Sequence, residues 1–171
     1  MPEAEVRVRP VRDERDLLAV REVHTLAFGR VEEARLVLRL HAAEAAPVSL
    51  LAACGDRAVG HGLFSPASVE GSGTRVVGLA PLGVLPAFQG RGVGSAIVRA
   101  GLGACREAGF VAVVVLGEPV FYARFGFERA SERGLGNEYG ADREFMALEL
   151  VPGGLDGVRG TVRYRPEFGW M

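Results

Sequence analysis

Residues 82–94 read LGVLPAFQGRGVG and contain four glycines and one arginine. The apolar stretch that leads into them, residues 75–85, is typical of a strand, although Pro81 and Gly83 weaken a regular ladder there. Residues 95–108 carry apolar side chains on one side at helical spacing and are followed by a glycine, which predicts a helix. The sequence therefore predicts a strand, a glycine-rich loop and a helix in direct succession.

The loop, residues 89–94, has the features of an anion site. Glycines let the backbone approach a ligand closely, and the first amides of the following helix point at one place. The helix dipole, Arg91 and Arg99 add positive charge, so a pyrophosphate is the expected ligand. The chain has no lysine, which excludes a Walker loop, and the loop follows the fourth predicted strand, which argues against a dinucleotide fingerprint. A glycine-rich turn that only permits close helix packing is the alternative.

The composition favours one globular domain. The chain has 171 residues, of which 49% are hydrophobic, and its 21 acidic residues nearly balance its 20 arginines. This balance favours neither nucleic acid nor a membrane as a partner. The three histidines and two cysteines lack metal-ligand spacing and form no disulfide framework. We expect a single cytoplasmic domain over residues 1–171, with residues 152–171 as a C-terminal extension.

Apolar periodicity places the remaining elements. The predicted strands are residues 5–12, 49–54, 57–66, 75–85, 110–116, 127–129 and 144–151, and the predicted helices are residues 13–27, 31–43, 95–108 and 119–125. Residues 134–140 are predicted to form a loop, and weak alternation in residues 157–165 indicates one further strand. This order predicts a mixed α/β sheet with helices on both faces.

Two motifs resemble those of the GCN5-related N-acetyltransferases, the GNAT family. Gln89, Gly92 and Gly94 match the family pattern Gln/Arg-x-x-Gly-x-Gly/Ala, and residues 122–127, YARFGF, resemble its Tyr-x-x-x-Gly-Phe. One predicted helix and one predicted strand separate the motifs, as in the family. Stretches similar to a YhbS-like subgroup extend the resemblance to about residues 5–165; they are residues 59–66, 115–119 and 145–150.

The resemblance implies a fold and an activity. The fold is a mixed, mostly antiparallel central sheet with helices on both faces, in which the fourth and fifth strands splay apart. The activity is direct transfer of an acetyl group from acetyl-CoA (coenzyme A), with no metal, to a primary amine of an unidentified small molecule or peptide. A homodimer is compatible with it. The alternatives are a non-catalytic acyl-CoA binding module and a glycine-loop nucleotide binder of another fold.

The resemblance also implies roles for particular residues. Tyr122 would stand near the thioester sulfur as general acid. The backbone of the fourth strand would pair with the pantetheine arm at Leu82 and Val84, and an amide near Val84 would hold the oxyanion. The other cofactor-binding residues are those around the pyrophosphate, Gln89, Gly90, Arg91, Gly92, Val93, Gly94 and Ser95, and those that line the pantetheine, Pro119, Phe121 and Phe125.

The general base is the point where the sequence departs from many relatives. They carry a glutamate on the fourth strand, whereas residues 75–85 contain no carboxylate. Glu118 and His61 are two weak candidates, and each has a structural interpretation as an exposed helix-terminal acid or a hydrogen-bonded histidine. We expect no dedicated base, because a neutral amine or a water relay suffices.

Residues on the first two predicted helices complete these expectations. The resemblance implies that the first two helices border the acceptor cleft, so Phe28 and His24 would contact the acceptor. Glu32 and Glu33 are expected to lie on a solvated helix face, and Cys105 in the core.

Overall fold

The computed structural model describes residues 5–170, so the predicted domain bounds at residues 1 and 171 lie outside the described residues. Within this range the chain forms nine strands and four α-helices. The strands are β1 Val6–Pro10, β2 Val48–Cys54, β3 Arg57–Val69, β4 Val76–Val84, β5 Ala112–Leu116, β6 Glu128–Arg129, β7 Leu135–Asn137, β8 Phe145–Glu149 and β9 Gly160–Arg163. The helices are α1 Glu14–Phe28, α2 Glu32–Ala42, α3 Val93–Glu107 and α4 Pro119–Ala123.

The strands form one mixed sheet in the order β1-β2-β3-β4-β5-β8-β6, with β9 paired to β3 and to β7. The β1–β2, β3–β9, β5–β8 and β6–β8 pairs are antiparallel, while β4–β5 and β7–β9 are parallel. The predicted mixed α/β sheet is therefore confirmed.

The pairing of β4 with β5 stops well before β4 ends. Registered partners run from Val76 with Ala112 to Leu79 with Val115, whereas β4 itself continues to Val84. Proline at position 81 cannot donate a ladder hydrogen bond, so it weakens any further pairing. Strand β5 itself ends at Leu116, one residue after the last registered partner, so the predicted splay stays a prediction.

The chain divides into two compact units. The described part of the first unit contains residues 5–63, 81–101 and 166–170, and that of the second contains residues 64–80 and 102–165. In the first unit the core is built by buried apolar side chains of α1, α2, β2 and β3, namely Val20, Leu36, Val37, Leu40, Leu51 and Leu63. In the second unit, β5, β7, β8 and β9 bury Val113, Val114, Leu135, Phe145 and Val162.

Helix α1 begins and ends as its sequence predicts. The Asp13 carboxylate accepts a hydrogen bond from the Asp16 amide at 3.0 Å and caps the first turn. Gly29 ends the helix in the left-handed region, with φ of 68°, and its amide donates to the Thr25 carbonyl at 2.9 Å. Two hydrogen bonds from Arg9, at 2.7 and 2.9 Å, tie Asp16 to β1 and lower the pKa of Asp16 to about 2.

The prediction of a loop over residues 134–140 is wrong for residues 135–137. Leu135–Asn137 form β7, which pairs in parallel with Gly160–Val162 of β9. The predicted tail strand is confirmed, because Ser68 and Val69 of β3 also pair with β9. Strand β9 pairs both with β7 and with the end of β3. This pairing stabilises β7 as a strand and extends β3 past its predicted end at residue 66.

Candidate functional site

The glycine-rich segment forms a tight connection between β4 and α3. A 3-10 turn at Pro86–Phe88 follows the strand, and Gly90 and Gly92 both adopt left-handed backbone, with φ of 75° and 83°. Helix α3 begins at Val93, so Gly94 lies in its first turn, and the predicted start at residue 95 is two residues late. A Cβ on Gly90 or Gly92 would meet no described atom within 4 Å. Backbone conformation, not crowding, therefore requires glycine at these two positions.

Gln89 holds this connection in shape. Its side-chain amide donates to the Val84 carbonyl at 3.0 Å, across the 3-10 turn. The Leu85 amide donates to the Val59 carbonyl at 2.8 Å, which fixes the end of β4 against β3. The Gln89 side chain thus connects the two ends of the 3-10 turn.

Two arginines bring positive charge to the same connection. The guanidinium carbons of Arg91 and Arg57 each lie 5.6 Å from the centre of the Phe88 ring. Arg91 was predicted from the motif, whereas Arg57 was missed, because it lies at the start of β3 and only the fold brings it to Phe88.

Helix α3 packs closely on β3 through Gly60. A Cβ on Gly60 would lie 3.0 Å from side-chain atoms of both Ile97 and Val93. The first helical hydrogen bond runs from the Ala96 amide to the Gly92 carbonyl at 3.0 Å. The amides ahead of Ala96 therefore point out of the helix N-terminus, where an anion is favoured.

Tyr122 lies in an aromatic cluster on and after α4. Its side chain is buried, and its ring meets those of Phe121 and Phe127 edge-on, with centroids 4.8 and 5.6 Å away. A Cβ on Gly117 would overlap the Tyr122 ring, so the glycine makes room for it. Burial raises the pKa of Tyr122 to about 12, and the phenol stays protonated at neutral pH. Phe125 joins the cluster through Phe121, at a centroid distance of 5.3 Å.

The two base candidates lie in very different surroundings. The side chain of Glu118 is 62% exposed and lies 3.8 Å from the guanidinium of Arg143, as its interpretation as an exposed acid expects. His61 is fully buried and hydrogen-bonded, which agrees with its structural interpretation.

His61 belongs to a continuous row of hydrogen bonds. His24 Nε2 lies 2.8 Å from His61 Nδ1, His61 Nε2 lies 2.8 Å from Ser49 Oγ, and Ser49 Oγ lies 2.9 Å from His41 Nε2. We call these four side chains the histidine row. Burial lowers the pKa of His24 to about 4 and that of His61 well below its usual value, so both are neutral at pH 7. The sequence pointed to His24 and His61 separately and missed Ser49 and His41.

The first member of the row packs against the β4 backbone. A Cβ on Gly83 would lie 2.7 Å from His24 Nδ1 and 3.2 Å from Phe28 Cε2. The His24 and Phe28 rings are stacked with centroids 5.8 Å apart, and Phe28 is 40% exposed. Gly83 is therefore required by the close approach of α1.

Glu33 contradicts the expectation of a solvated helix face. It is only 3% exposed, and Arg30 donates to its carboxylate from Nε at 2.9 and 3.1 Å. Burial is the largest single influence and opposes its ionisation, but the hydrogen bonds from Arg30, the hydrogen bond from the Glu33 backbone amide and the charges of Arg30 and His24 together hold the pKa of Glu33 below its usual value. Its negative charge in turn raises the pKa of His24, against the larger effect of desolvation. The i, i+3 spacing from Arg30 is the only sequence signal for this buried pair.

The sequence profile of the acetyltransferase (GNAT) family matches residues 17–127 of this chain. The chain belongs to the GNAT family. The resemblance predicted from the two motifs is thereby confirmed.

Known GNAT proteins are similar to this chain over different lengths. The uncharacterized N-acetyltransferase YhbS of Escherichia coli K12 is 39% identical over 111 residues, which are 64% of this chain and 66% of that protein, just under two thirds of its length. The uncharacterized N-acetyltransferase YjhQ of the same organism is 40% identical over 146 residues, 82% of this chain and 81% of its own.

Solved GNAT structures match the fold over nearly the whole chain. The structure of E. coli YhbS in complex with CoA has a TM-score of 0.92 at 31% identity and covers 99% of this chain and 94% of its own. A GNAT acetyltransferase from Brucella melitensis in complex with acetyl-CoA has a TM-score of 0.81 at 32% identity, covering 96% of this chain and 99% of its own.

Two further findings concern this GNAT chain over the range that the structure describes. In residues 5–170, no group of three or more His, Cys, Asp or Glu side chains is placed to hold a metal ion. None of the helices in that range is both long and apolar enough to cross a membrane. Cys105 is buried in α3, as expected of a core residue, and burial raises its pKa to about 12.

Proposed function

We propose that this protein is an acetyl-CoA-dependent N-acetyltransferase that transfers the acetyl group directly to a primary amine of a small molecule or peptide. One observation carries the proposal: the chain matches a GNAT structure solved with CoA over 99% of its length, at a TM-score of 0.92. The family's glycine motif lies in this chain between a strand and a helix N-terminus, which is where an anionic cofactor is expected.

The donor is assigned to the glycine-rich connection and β4. The backbone amides of Gln89–Ser95 would hold the pyrophosphate, with Arg91 and Arg57 beside them as counter-charges. Leu82 and Val84 would pair with the pantetheine through their backbone, while Pro119, Phe121 and Phe125 would line it. The Gln89 side chain contributes by its hydrogen bond to Val84, which holds the loop open to the ligand.

The proposed reaction moves negative charge first to the thioester oxygen and then to the sulfur of CoA. The amine nitrogen attacks the thioester carbonyl, and an amide near Val84 stabilises the oxyanion. The C–S bond then breaks, and the leaving thiolate takes a proton from Tyr122, whose raised pKa keeps that proton available at neutral pH. A proton lost by the attacking nitrogen restores the phenol.

The remaining assignments rest on the composition of the chain and on the family. We assign the whole chain to one catalytic domain, with residues 152–171 as an extension, and place it in the cytoplasm, where a homodimer is compatible with the family. Helix α1 would contact the acceptor amine, and Phe28 is the exposed aromatic residue of that helix.

Release of thiol from acetyl-CoA tests the activity. A panel of polyamines, amino sugars, amino acid amides and short peptides is offered, and amine-dependent thiol release with at least one acceptor is expected. Acetyl-CoA should also raise the melting temperature, whereas ATP and NAD should not. Stabilisation by acetyl-CoA without turnover of any amine would favour a non-catalytic acyl-CoA binding module, and stabilisation by ATP or NAD would favour a nucleotide binder.

A further inference from the structure

We propose that the histidine row is a proton relay, in which His24 Nδ1 takes the proton of the acceptor ammonium and His41 releases it to solvent. The inference rests on the proposed acetyltransferase function and assigns its general base. His24 is the catalytic base in this scheme, and His61, Ser49 and His41 carry the proton away from it.

The hydrogen bonds of the row are compatible with two opposite proton orders, in which Ser49 accepts from one histidine and donates to the other. The proposal requires the order that leaves His24 Nδ1 without a proton. If His24 Nε2–H donates to His61 Nδ1, then His61 Nε2–H donates to Ser49, and Ser49 donates to His41 Nε2. All three imidazoles are neutral in this arrangement, and His24 Nδ1 is left with an available lone pair.

The position of that lone pair points to a base. His24 Nδ1 is buried and has no hydrogen-bond partner among the described residues. It faces the backbone at Gly83, between Leu82 and Val84, the two residues assigned to the pantetheine and the oxyanion. A buried polar atom without a partner is uncommon and costs stability, so its occurrence on this strand calls for a function.

The groups around the row, Glu33, Arg30 and the histidines themselves, allow a proton to move through His24 and His61 but disfavour a lasting positive charge on either ring. Glu33 on α2, paired with Arg30, attracts positive charge at His24, while desolvation disfavours a resident imidazolium there. His61 on β3 is disfavoured as a cation by burial and by both neighbouring histidines.

The exit of the row favours release to solvent. His41 is half-buried and lies in the last turn of α2, where the helix dipole favours a cation. Partial burial lowers its pKa, so it gives the proton up at neutral pH.

The protons balance. An ammonium carries two protons more than the amide product; one leaves with the thiol of CoA through Tyr122, and the other leaves through the row. When His24 Nδ1 accepts that second proton, each donor in the row passes its own proton to the next acceptor. His41 then holds one extra proton, which it loses to water. This leaves His24, His61, Ser49 and His41 in the opposite proton order, so the row must return to its starting order before the next turnover.

The test compares the pH dependence of kcat/KM in parent and variants. The acceptor is the amine of the panel with the highest kcat/KM for the parent and a pKa above about 9. His24→Gln can still hydrogen-bond to His61 but cannot relay a proton, Ser49→Ala breaks the row at its centre, and Ser49→Thr restores the hydroxyl. Ser65→Ala is the control, because Ser65 is a fully buried serine of β3 outside the row.

Complete transfer from the ammonium to His24, whose pKa is about 4, would be uphill by more than about 5 units, so the proton has to move in concert with attack by the nitrogen. The ammonium form then reacts, and kcat/KM should be nearly constant between about pH 6 and 8. In His24→Gln and Ser49→Ala only the free amine reacts, so kcat/KM should fall about 100-fold at pH 7 and rise about tenfold per pH unit. Ser49→Thr and Ser65→Ala should keep the parent profile. Melting curves confirm that each variant is folded.

Nitrogen NMR of the protein labelled at its three histidines tests the row without any acceptor. Protons are expected on His24 Nε2, His61 Nε2 and His41 Nδ1. The reverse order, with a proton on His24 Nδ1, would overturn the proposal. An active parent whose Ser49→Ala and His24→Gln variants keep its pH profile would overturn the relay alone, whereas a parent that acetylates no amine would overturn the proposed function as well.

Discussion

Replacement of Tyr122 by phenylalanine removes one proton and keeps the ring that packs on Phe121 and Phe127. Without the phenol, water must protonate the thiolate of CoA. Burial sets the pKa of Tyr122 at about 12, and water has a pKa of about 15.7, so the replacement acid is weaker by about 3.7 units. With a Brønsted coefficient of about 0.5, kcat should fall roughly 70-fold.

The raised pKa also restricts how the proton moves. A thiol has a pKa of about 8.5, so full transfer from Tyr122 to a free thiolate is uphill by about 3.5 units, or about 5 kcal/mol. The transfer therefore has to be concerted with C–S cleavage, when the sulfur is still gaining charge.

Steady-state thiol release is the assay, with kcat and the KM for acetyl-CoA determined separately. The KM should change little, because the aromatic ring is retained. Tyr139→Phe is the matched control, since Tyr139 is 51% exposed and lies outside the aromatic cluster on α4. If kcat of Tyr122→Phe stays within about threefold of the parent while Tyr139→Phe is also active, Tyr122 has a packing role and another group supplies the proton.

Three further predictions follow from other parts of the structure. Gly92→Asp should weaken acetyl-CoA binding at least about 100-fold in calorimetry, because it sets a negative charge beside the pyrophosphate and strains the backbone at φ of 83°, whereas Gly103→Asp, in open space on α3, should not. Truncation after Val151 removes β9 and its buried Val162, and should lower the melting temperature by about 10 °C; an unchanged value would contradict the role of the tail strand. Because burial lowers the pKa of His24 from 6.5 to about 4, the free energy of unfolding should be about 3 kcal/mol higher above pH 6.5 than at pH 4 and below, and it should fall as pH falls between these values. Urea unfolding of His24→Gln should show a flatter pH dependence over that range.

The sequence was sufficient wherever a local pattern decides the structure. The Asp13 cap, the apolar run of β5 and the glycine-rich connection each depend on neighbours within a few residues, and each was predicted close to its observed bounds. The two-residue error at the start of α3 has a physical reason. The sequence places Val93 and Gly94 in the loop, but Val93 packs beside Gly60 of β3, and the helix begins at Val93.

Elements that depend on distant partners were missed or incomplete. β7 exists because β9 pairs with it, and residues 135–137 carry no strand pattern of their own. The histidine row joins α1, α2, β2 and β3, so no spacing in the sequence could connect His41 to His24. Glu33 was assigned to solvent because glutamates at a helix start usually are exposed, and only the packing of α2 shows that it is buried.

The packing of α1 on β4 connects the histidine row to the strand that carries no carboxylate in this chain. Many relatives carry a glutamate on the fourth strand, and this chain has glycine at position 83, where even a Cβ would approach His24 Nδ1 to 2.7 Å. No side chain fits at position 83 while α1 keeps its place, because the imidazole of His24 occupies the space that such a side chain would need. On the proposed relay, His24 of α1 would supply beside β4 the base that no carboxylate of β4 provides.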